Sequence, residues 1–549
     1  MHKCLVIVFL VLSAEGIILT TNQGAINGTY LTTRRGKLFN AFYGIPFAQP
    51  PVGELRFQPP KEAKSWTGTM NASVVPSGCL QVGLGADANV IVEGSEDCLN
   101  LNVYTPLNAR KGDDIAVVVY IFGGMFKGFT NMEFGPQYIL ERDVILVEPN
   151  YRLGALGFMS TGDSVISGNY QLKDQIMALK WVQKNIHNFG GDPNSVTLQG
   201  HSSSTNCIHL HTVSPLSRGL FHKVIMQSGI QMDRFFGHDV IRGIAKEFAT
   251  KAGCSDVTSS ERIHSCLMTL DAKIFPLIEP TMPVWDKSPG AVFKPTIEDE
   301  DSEEPFITKP PSMADYHTPN MPWIIGLTTG EASFKVAHYL SDDGELASEI
   351  DQYYKLLFPV TLLYLWDTKI KHLNYISQAL RSHYFSDRKI GDETCHQMTE
   401  FYTHGMFGVS IIKTIRNYPG PKYVYWYDYK SNNSRQNIEG YYEEDLGVAH
   451  GEEVYLLFYT PESDNVLTLA DHMFSKELVK RWVNFIKTGN PNFPIKIDTD
   501  IMGFWKPMIT NRIEYLRINL NGTMETDLYK GIYEFWTSLP FGSKYEDLF

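Results

Sequence analysis

The chain predicts an α/β fold: a mostly parallel central sheet flanked by helices on both faces, with large insertions. Two observations predict it. Apolar runs of strand length, at Ala116 to Phe122, Val144 to Val147 and Val224 to Met226, alternate with helical patterns, as expected when both faces of a parallel sheet are covered. The segment Val196 to Thr205, V-T-L-Q-G-H-S-S-S-T, also reads as a buried strand, a sharp turn at Gly200, and Ser202 at the point where a helix could start.

In chain order, Met1 to Gly16 carries Lys3, nine apolar residues from Cys4 to Leu12, and the small residues Ala14 and Gly16. This is the pattern of a signal peptide, and the apolar run is too short to cross a bilayer. Residues 42 to 60 hold five prolines, which predicts an ordered looping segment and argues against a central strand. The strand at 116 to 122, the strand at 144 to 147 and a helix with Leu172, Ile176, Leu179, Val182 and Ile186 on one face lead into the Ser202 segment. Further strands are expected at Val224 to Met226, Trp323 to Gly326 and Tyr423 to Tyr429. The acidic run Glu298 to Glu304 lacks the glycine and ligand spacing of a calcium loop and reads as a solvated loop. No repeat or linker divides the sequence, so residues 17 to 549 are expected to form one domain.

Composition excludes several classes. With 549 residues, 43% hydrophobic and 20% charged, the chain is globular, and its net charge of -13 offers no basic footprint for nucleic acid or an anionic membrane. No later segment is long and apolar enough for a stable membrane anchor, and the last residues carry neither a lipid-anchor tail nor a retention signal. A secreted, extracellular protein is the expectation. Sequons at Asn27, Asn71, Asn432 and Asn521 become candidate glycosylation sites in that compartment. Of seven cysteines, Cys4 lies in the signal. The other six allow fifteen pairings, and spacing suggests two short loops, Cys79 with Cys98 and Cys254 with Cys266.

Chemistry enters through order. The Ser202 segment is a degenerate form of G-x-S-x-G, in which a serine sits on a strained strand-to-helix turn with small neighbours; a plain helix N-cap is the competing reading. Upstream, Gly123-Gly124-Met125-Phe126 follows a strand and could turn backbone N–H groups toward a reacting centre. Downstream stand Glu331, after Gly330, and His450, within Gly447-Val448-Ala449-His450-Gly451. Each alone would be an ordinary loop residue. Together, Ser202, Glu331 and His450 follow the serine, acid, histidine order of an α/β-hydrolase triad.

Beyond that order, the chain carries F-Y-G-I-P-F-A-Q-P-P-V-G-E-L-R-F from residue 42, S-E-D-C-L-N-L-N-V-Y at 95 to 104, and N-Y-R-L-G-A-L-G-F at 150 to 158. It also carries G-G-D-P-N-S-V-T-L-Q-G at 190 to 200 and W-V-N-F-I-K-T-G-N-P-N at 482 to 492. On these motifs it resembles the type-B carboxylesterase and cholinesterase family from about residue 17 almost to its end. The resemblance implies the α/β-hydrolase fold and a triad of Ser202, Glu331 and His450. It also implies an oxyanion hole of Gly124, Met125 and Ser203 N–H groups and the two short disulfides, and it suggests no partner for Cys395. Cys207, in the helix after Ser202 and expected to be buried against the sheet, should likewise be a free thiol. No cofactor or metal is implied, the partner is a small-molecule ester, and oligomeric state is left open.

Three positions depart from the family: Met125 replaces a glycine of the oxyanion loop, Ser204 replaces the second elbow glycine, and His201 stands where cholinesterases have glutamate. A methionine in a glycine's place must accept strain or turn one N–H away from the oxyanion, and its side chain would narrow the space beside the scissile carbonyl. A slow or narrow-specificity esterase is therefore expected, with Ser204 adding to the doubt about efficiency. Residues 80 to 97 contain no aromatic side chain to hold a quaternary ammonium, so the resemblance is to secreted insect carboxylesterases acting on uncharged esters. The competing functions are a catalytically weak or inactive carboxylesterase-like binding protein and an interfacial lipase, the latter without a legible amphipathic lid.

Overall fold

In the computed structural model, residues 16–84, 89–229, 235–493, 502–509 and 512–542 are described. Residues 1–15, nearly all of the stretch read above as a signal peptide, lie outside them. The strands are β1 (Ile17–Thr20), β2 (Ala25–Thr32), β3 (Leu38–Pro46), β4 (Thr69–Asn71), β5 (Gln81–Leu84), β6 (Val90–Glu93), β7 (Asn100–Pro106), β8 (Ile115–Ile121), β9 (Ile145–Pro149), β10 (Gly191–His201), β11 (Lys223–Gln227), β12 (Trp323–Thr328), β13 (Lys422–Tyr427), β14 (Glu514–Ile518) and β15 (Thr523–Thr526). Among the described residues the main sheet runs β1-β2-β3-β7-β9-β8-β10-β11-β12-β13-β14-β15, with β4 beside β2, while β5 and β6 form a separate hairpin.

From β9 to β14 every neighbouring pair is parallel. The strands outside this run are antiparallel to their neighbours, save β4. The parallel strands need cover on both faces, and their sequences supply it: Val117, Val118, Val119 and Ile121 of β8 and Val196 and Leu198 of β10 are all fully buried. The predicted helix is Tyr170–Asn185, with Leu172, Leu179 and Val182 at 0% exposure. Insertion helices build two further apolar clusters. One gathers Phe248, Phe275, Phe293 and Phe306, the other Phe358, Phe385, Phe401 and Trp536.

Two expectations are corrected. Residues 42 to 46 are not a loop: they complete β3, an internal strand between β2 and β7. Pro46 closes that strand, and the register shift between Phe42 and Ile45 absorbs Gly44, whose φ is +64°. The acidic run is also not wholly solvated. Glu298 is 3% exposed, pairs with Lys173 Nζ at 2.7 Å, and accepts from Asn169 Nδ2 at 2.8 Å and the Phe306 N–H at 2.7 Å. A cation and two donors from elsewhere in the chain make its burial tolerable.

Disulfides join Cys79 to Cys98 and Cys254 to Cys266. Cys207 and Cys395 are free and buried.

Candidate active site

The sheet order explains where chemistry can gather. The chain passes from β8 to β9 on one side, then returns to β10 on the other side of β8. The connections leaving the carboxyl ends of β8 and β10 therefore diverge, opening the crevice typical of a topological switch point. Gly123–Phe126 leaves β8 there, and Ser202 leaves β10.

Ser202 has φ 62° and ψ -131°, between strand β10 and the helix Ser203–Val213. This strained turn is held from several sides. The Ser202 N–H donates to the Gln227 carbonyl at 2.9 Å, and Thr205 Oγ1 donates to the Ser202 carbonyl at 2.6 Å. Ser204 Oγ accepts from the His201 N–H at 2.9 Å and donates to the His201 carbonyl at 2.8 Å. The serine that replaces a glycine thus ties strand to helix. It fits because Gly200 has no Cβ; one built there would lie 2.4 Å from Ser204 Oγ.

The structure brings the three expected side chains together. His450 Nε2 lies 2.8 Å from Ser202 Oγ, and His450 Nδ1 lies 2.5 Å from Glu331 Oε2. Glu331 follows β12 and is completely buried; its Oε1 accepts from the Thr328 N–H at 2.7 Å. Gly330 bridges to Ala449, which aligns the two loops. The His450 ring is packed by Phe407, Phe334 and His201, with centroid separations of 4.9, 5.9 and 4.4 Å.

Around the oxyanion loop, Gly124 has φ +89° and Met125 has φ 51°. Methionine therefore takes the strained branch and keeps a glycine-like backbone. Among the described residues no hydrogen bond occupies the N–H of Gly124, Met125 or Ser203, whereas the Phe126 N–H is spent on Ser203 Oγ at 3.2 Å. Three free donors thus remain near Ser202. Gly123 permits the close approach: a Cβ there would lie 2.6 Å from the His201 carbonyl oxygen and 3.1 Å from Ser202 Cβ.

A cavity of about 310 Å³ opens over these groups, walled largely by Met125, Phe126, Phe129, Phe134, Phe334 and Phe407. Met125 and Phe126 belong to the loop the sequence marked and Phe129 and Phe134 follow it closely, whereas Phe334 and Phe407 come from distant segments that no local sequence signal marks. Sequence reasoning also missed Glu453, which is fully buried, accepts from Tyr425 Oη at 3.1 Å, and lies 3.5 Å from Ser228 Oγ. Burial, then the charge of Glu331, pushes its carboxyl up to about 7. Its position three residues after His450 was the available clue. Cys395, His396 and Glu444 bring possible metal-ligand atoms within 4.8 Å of one another, but none of them lines this cavity.

Comparison with known proteins agrees with this geometry. The model of the carboxylesterase family matches residues 15–536. The chain is 33% identical over 512 residues to esterase E4 of Myzus persicae, covering 90% of this chain and 89% of that protein. It is 32% identical over 535 residues to a carboxylic ester hydrolase of Bombus ignitus, covering 95% and 94%. In fold it resembles juvenile hormone esterase from Manduca sexta, solved with OTFP covalently attached, at a TM-score of 0.82 and 24% identity over 96% of this chain and 99% of that one. A strained serine turn, a crevice at the carboxyl ends of a parallel sheet, and a family match over nearly the whole length lead to one conclusion: the chain belongs to the carboxylesterase family, an α/β-hydrolase family of carboxylic ester hydrolases.

Proposed function

We propose that this esterase is a secreted serine carboxylesterase that hydrolyses uncharged carboxylic esters through an acyl-enzyme. The observation that carries the reading is the continuous relay from Ser202 Oγ through His450 to the buried Glu331, with separations of 2.8 and 2.5 Å. Ser202 Oγ attacks the ester carbonyl as its proton passes to His450 Nε2. The tetrahedral oxyanion collects hydrogen bonds from the N–H groups of Gly124, Met125 and Ser203. Collapse breaks the bond to the alcohol, which leaves with the proton from His450; water then repeats the attack and frees the acid. Glu331 holds the imidazole tautomer and stabilises its charged form.

The aromatic wall of the cavity supports an uncharged, apolar ester. Secretion rests on the leader pattern of residues 1 to 16 and on the two disulfides; among the described residues no helix is long and apolar enough to cross a membrane. Asn71, Asn432 and Asn521 are exposed and suited to glycosylation, whereas Asn27 is partly covered within β2 and its Oδ1 is buried.

The test is labelling by a fluorophosphonate probe, mapped by peptide mass spectrometry to Ser202, with hydrolysis of p-nitrophenyl acetate. Ser202→Ala, Glu331→Gln and His450→Ala should each lower hydrolysis by at least ~10³-fold while the fold is retained. Full activity in Ser202→Ala would refute the assignment.

A further inference from the structure

His201 precedes the elbow serine, at the carboxyl end of β10. Its ring lies with its centroid 4.4 Å from that of His450, tilted by 40°, and the residue is 9% exposed. Its Nε2 is buried with no hydrogen-bond partner. Room for the ring is made by Gly451: this residue has φ +82°, and a Cβ there would lie 2.9 Å from His201 Cε1 and 3.1 Å from Nε2. The chain therefore sets a second imidazole against the first and reserves a glycine to admit it.

We propose that His201 is a positioning residue for His450: an uncharged ring that braces the imidazole from one side and keeps that side free of charge while His450 gains and loses its proton. The proposal rests on the reading of His450 as the general base.

The groups around His450 leave this role to His201. Glu331 approaches Nδ1 and Ser202 approaches Nε2. Phe407 and Phe334, from other segments, contribute apolar rings. Glu453 is buried nearby, and the same loop supplies Gly451. Lys294, Arg435 and Glu439 line the cavity. Burial first, and then the adjacent His450, holds the His201 imidazole well below its ordinary range, so it stays neutral when His450 is protonated. A buried Nε2 without an acceptor agrees, since a charged imidazole must donate from both nitrogens.

The experiment compares wild type with His201→Ala, His201→Phe and His201→Glu, measuring kcat, KM and the pH profile of kcat/KM on p-nitrophenyl acetate, with fluorophosphonate labelling as a control. His201→Ala removes the brace and should lower kcat about 10-fold with little change in KM. His201→Phe, uncharged and ring-shaped, should restore most of kcat and leave the acid limb of the profile in place. His201→Glu sets an anion beside His450 and should move the acid limb up by about 1 to 3 pH units. The proposal is overturned if His201→Phe is as slow as His201→Ala, or if it shifts the acid limb. It is equally overturned if a folded His201→Glu leaves the limb unmoved; should that variant not fold, the Ala and Phe pair decides. Failure of the wild-type protein to label at Ser202 would instead strike the general-base reading itself.

Discussion

Met125→Gly separates two consequences of a methionine in the oxyanion loop. A φ of 51° costs an L-residue about 1 to 2 kcal/mol, which glycine escapes. Glycine gives back about 0.5 to 1 kcal/mol through the greater freedom of the unfolded chain. Met125 is 42% exposed, so its truncation sacrifices only part of a buried methionine's contribution, about 1 kcal/mol. These contributions cancel to within about 1 kcal/mol, and stability should hardly change. Kinetics carry the information. A misdirected donor costs ~10² to 10³ in kcat, but the backbone at 125 already has the glycine conformation and its N–H is unoccupied. On p-nitrophenyl acetate, kcat of Met125→Gly should therefore stay within about 3-fold of wild type, a change under about 1 kcal/mol. Longer acyl chains should gain, because Met125 lines the cavity and its Sδ takes the space beside Gly290, where an added Cβ would lie 2.9 Å from it. The assay is steady-state kinetics on acetate, butyrate and octanoate esters, normalised by active-site titration. A rise of 10-fold or more on the acetate ester would instead mean that methionine had turned its peptide away from the oxyanion.

Three other outcomes are expected. Glu453 holds its proton to about pH 7 when folded, against 4.5 for an ordinary glutamate. Its contribution to stability is thus full below about pH 4.5, and about 3 kcal/mol of it is lost as pH rises through 7; Glu453→Gln should gain in Tm relative to wild type across that window, and a pH-independent difference would contradict the assignment. Arg152 and Asp174 form a buried pair, Nη2 to Oδ1 at 2.6 Å with side chains 3% and 0% exposed. Arg152→Met should cost about 3 to 5 kcal/mol in denaturant unfolding and Arg152→Met/Asp174→Leu distinctly less, because the single variant strands a buried carboxylate. Non-reducing peptide mapping should recover Cys207 and Cys395 as free thiols, and a peptide joining them would contradict the pairing described above.

What short stretches of residues encode could be read directly. The apolar runs of β8 to β13, the turn chemistry around Gly200 and Ser202, and the chain order of Ser202, Glu331 and His450 are local or ordinal features. They were legible because strand burial and tight turns constrain residue type directly. Even there local rules misled: proline density hid the end of β3, although Pro46 stands where a strand can lose a donor. Features that depend on distant segments meeting emerged from three-dimensional packing alone. Glu298 is buried because Lys173 and Asn169 reach it, and Phe134, Phe334 and Phe407 become one wall although some 270 residues separate the first from the last. The same holds for the departures from the family pattern. Where the Met125 thioether lies, and what His201 touches, depended on space left by Gly290 and Gly451. A sequence names such glycines, but only three-dimensional packing says whose side chain takes the space they vacate.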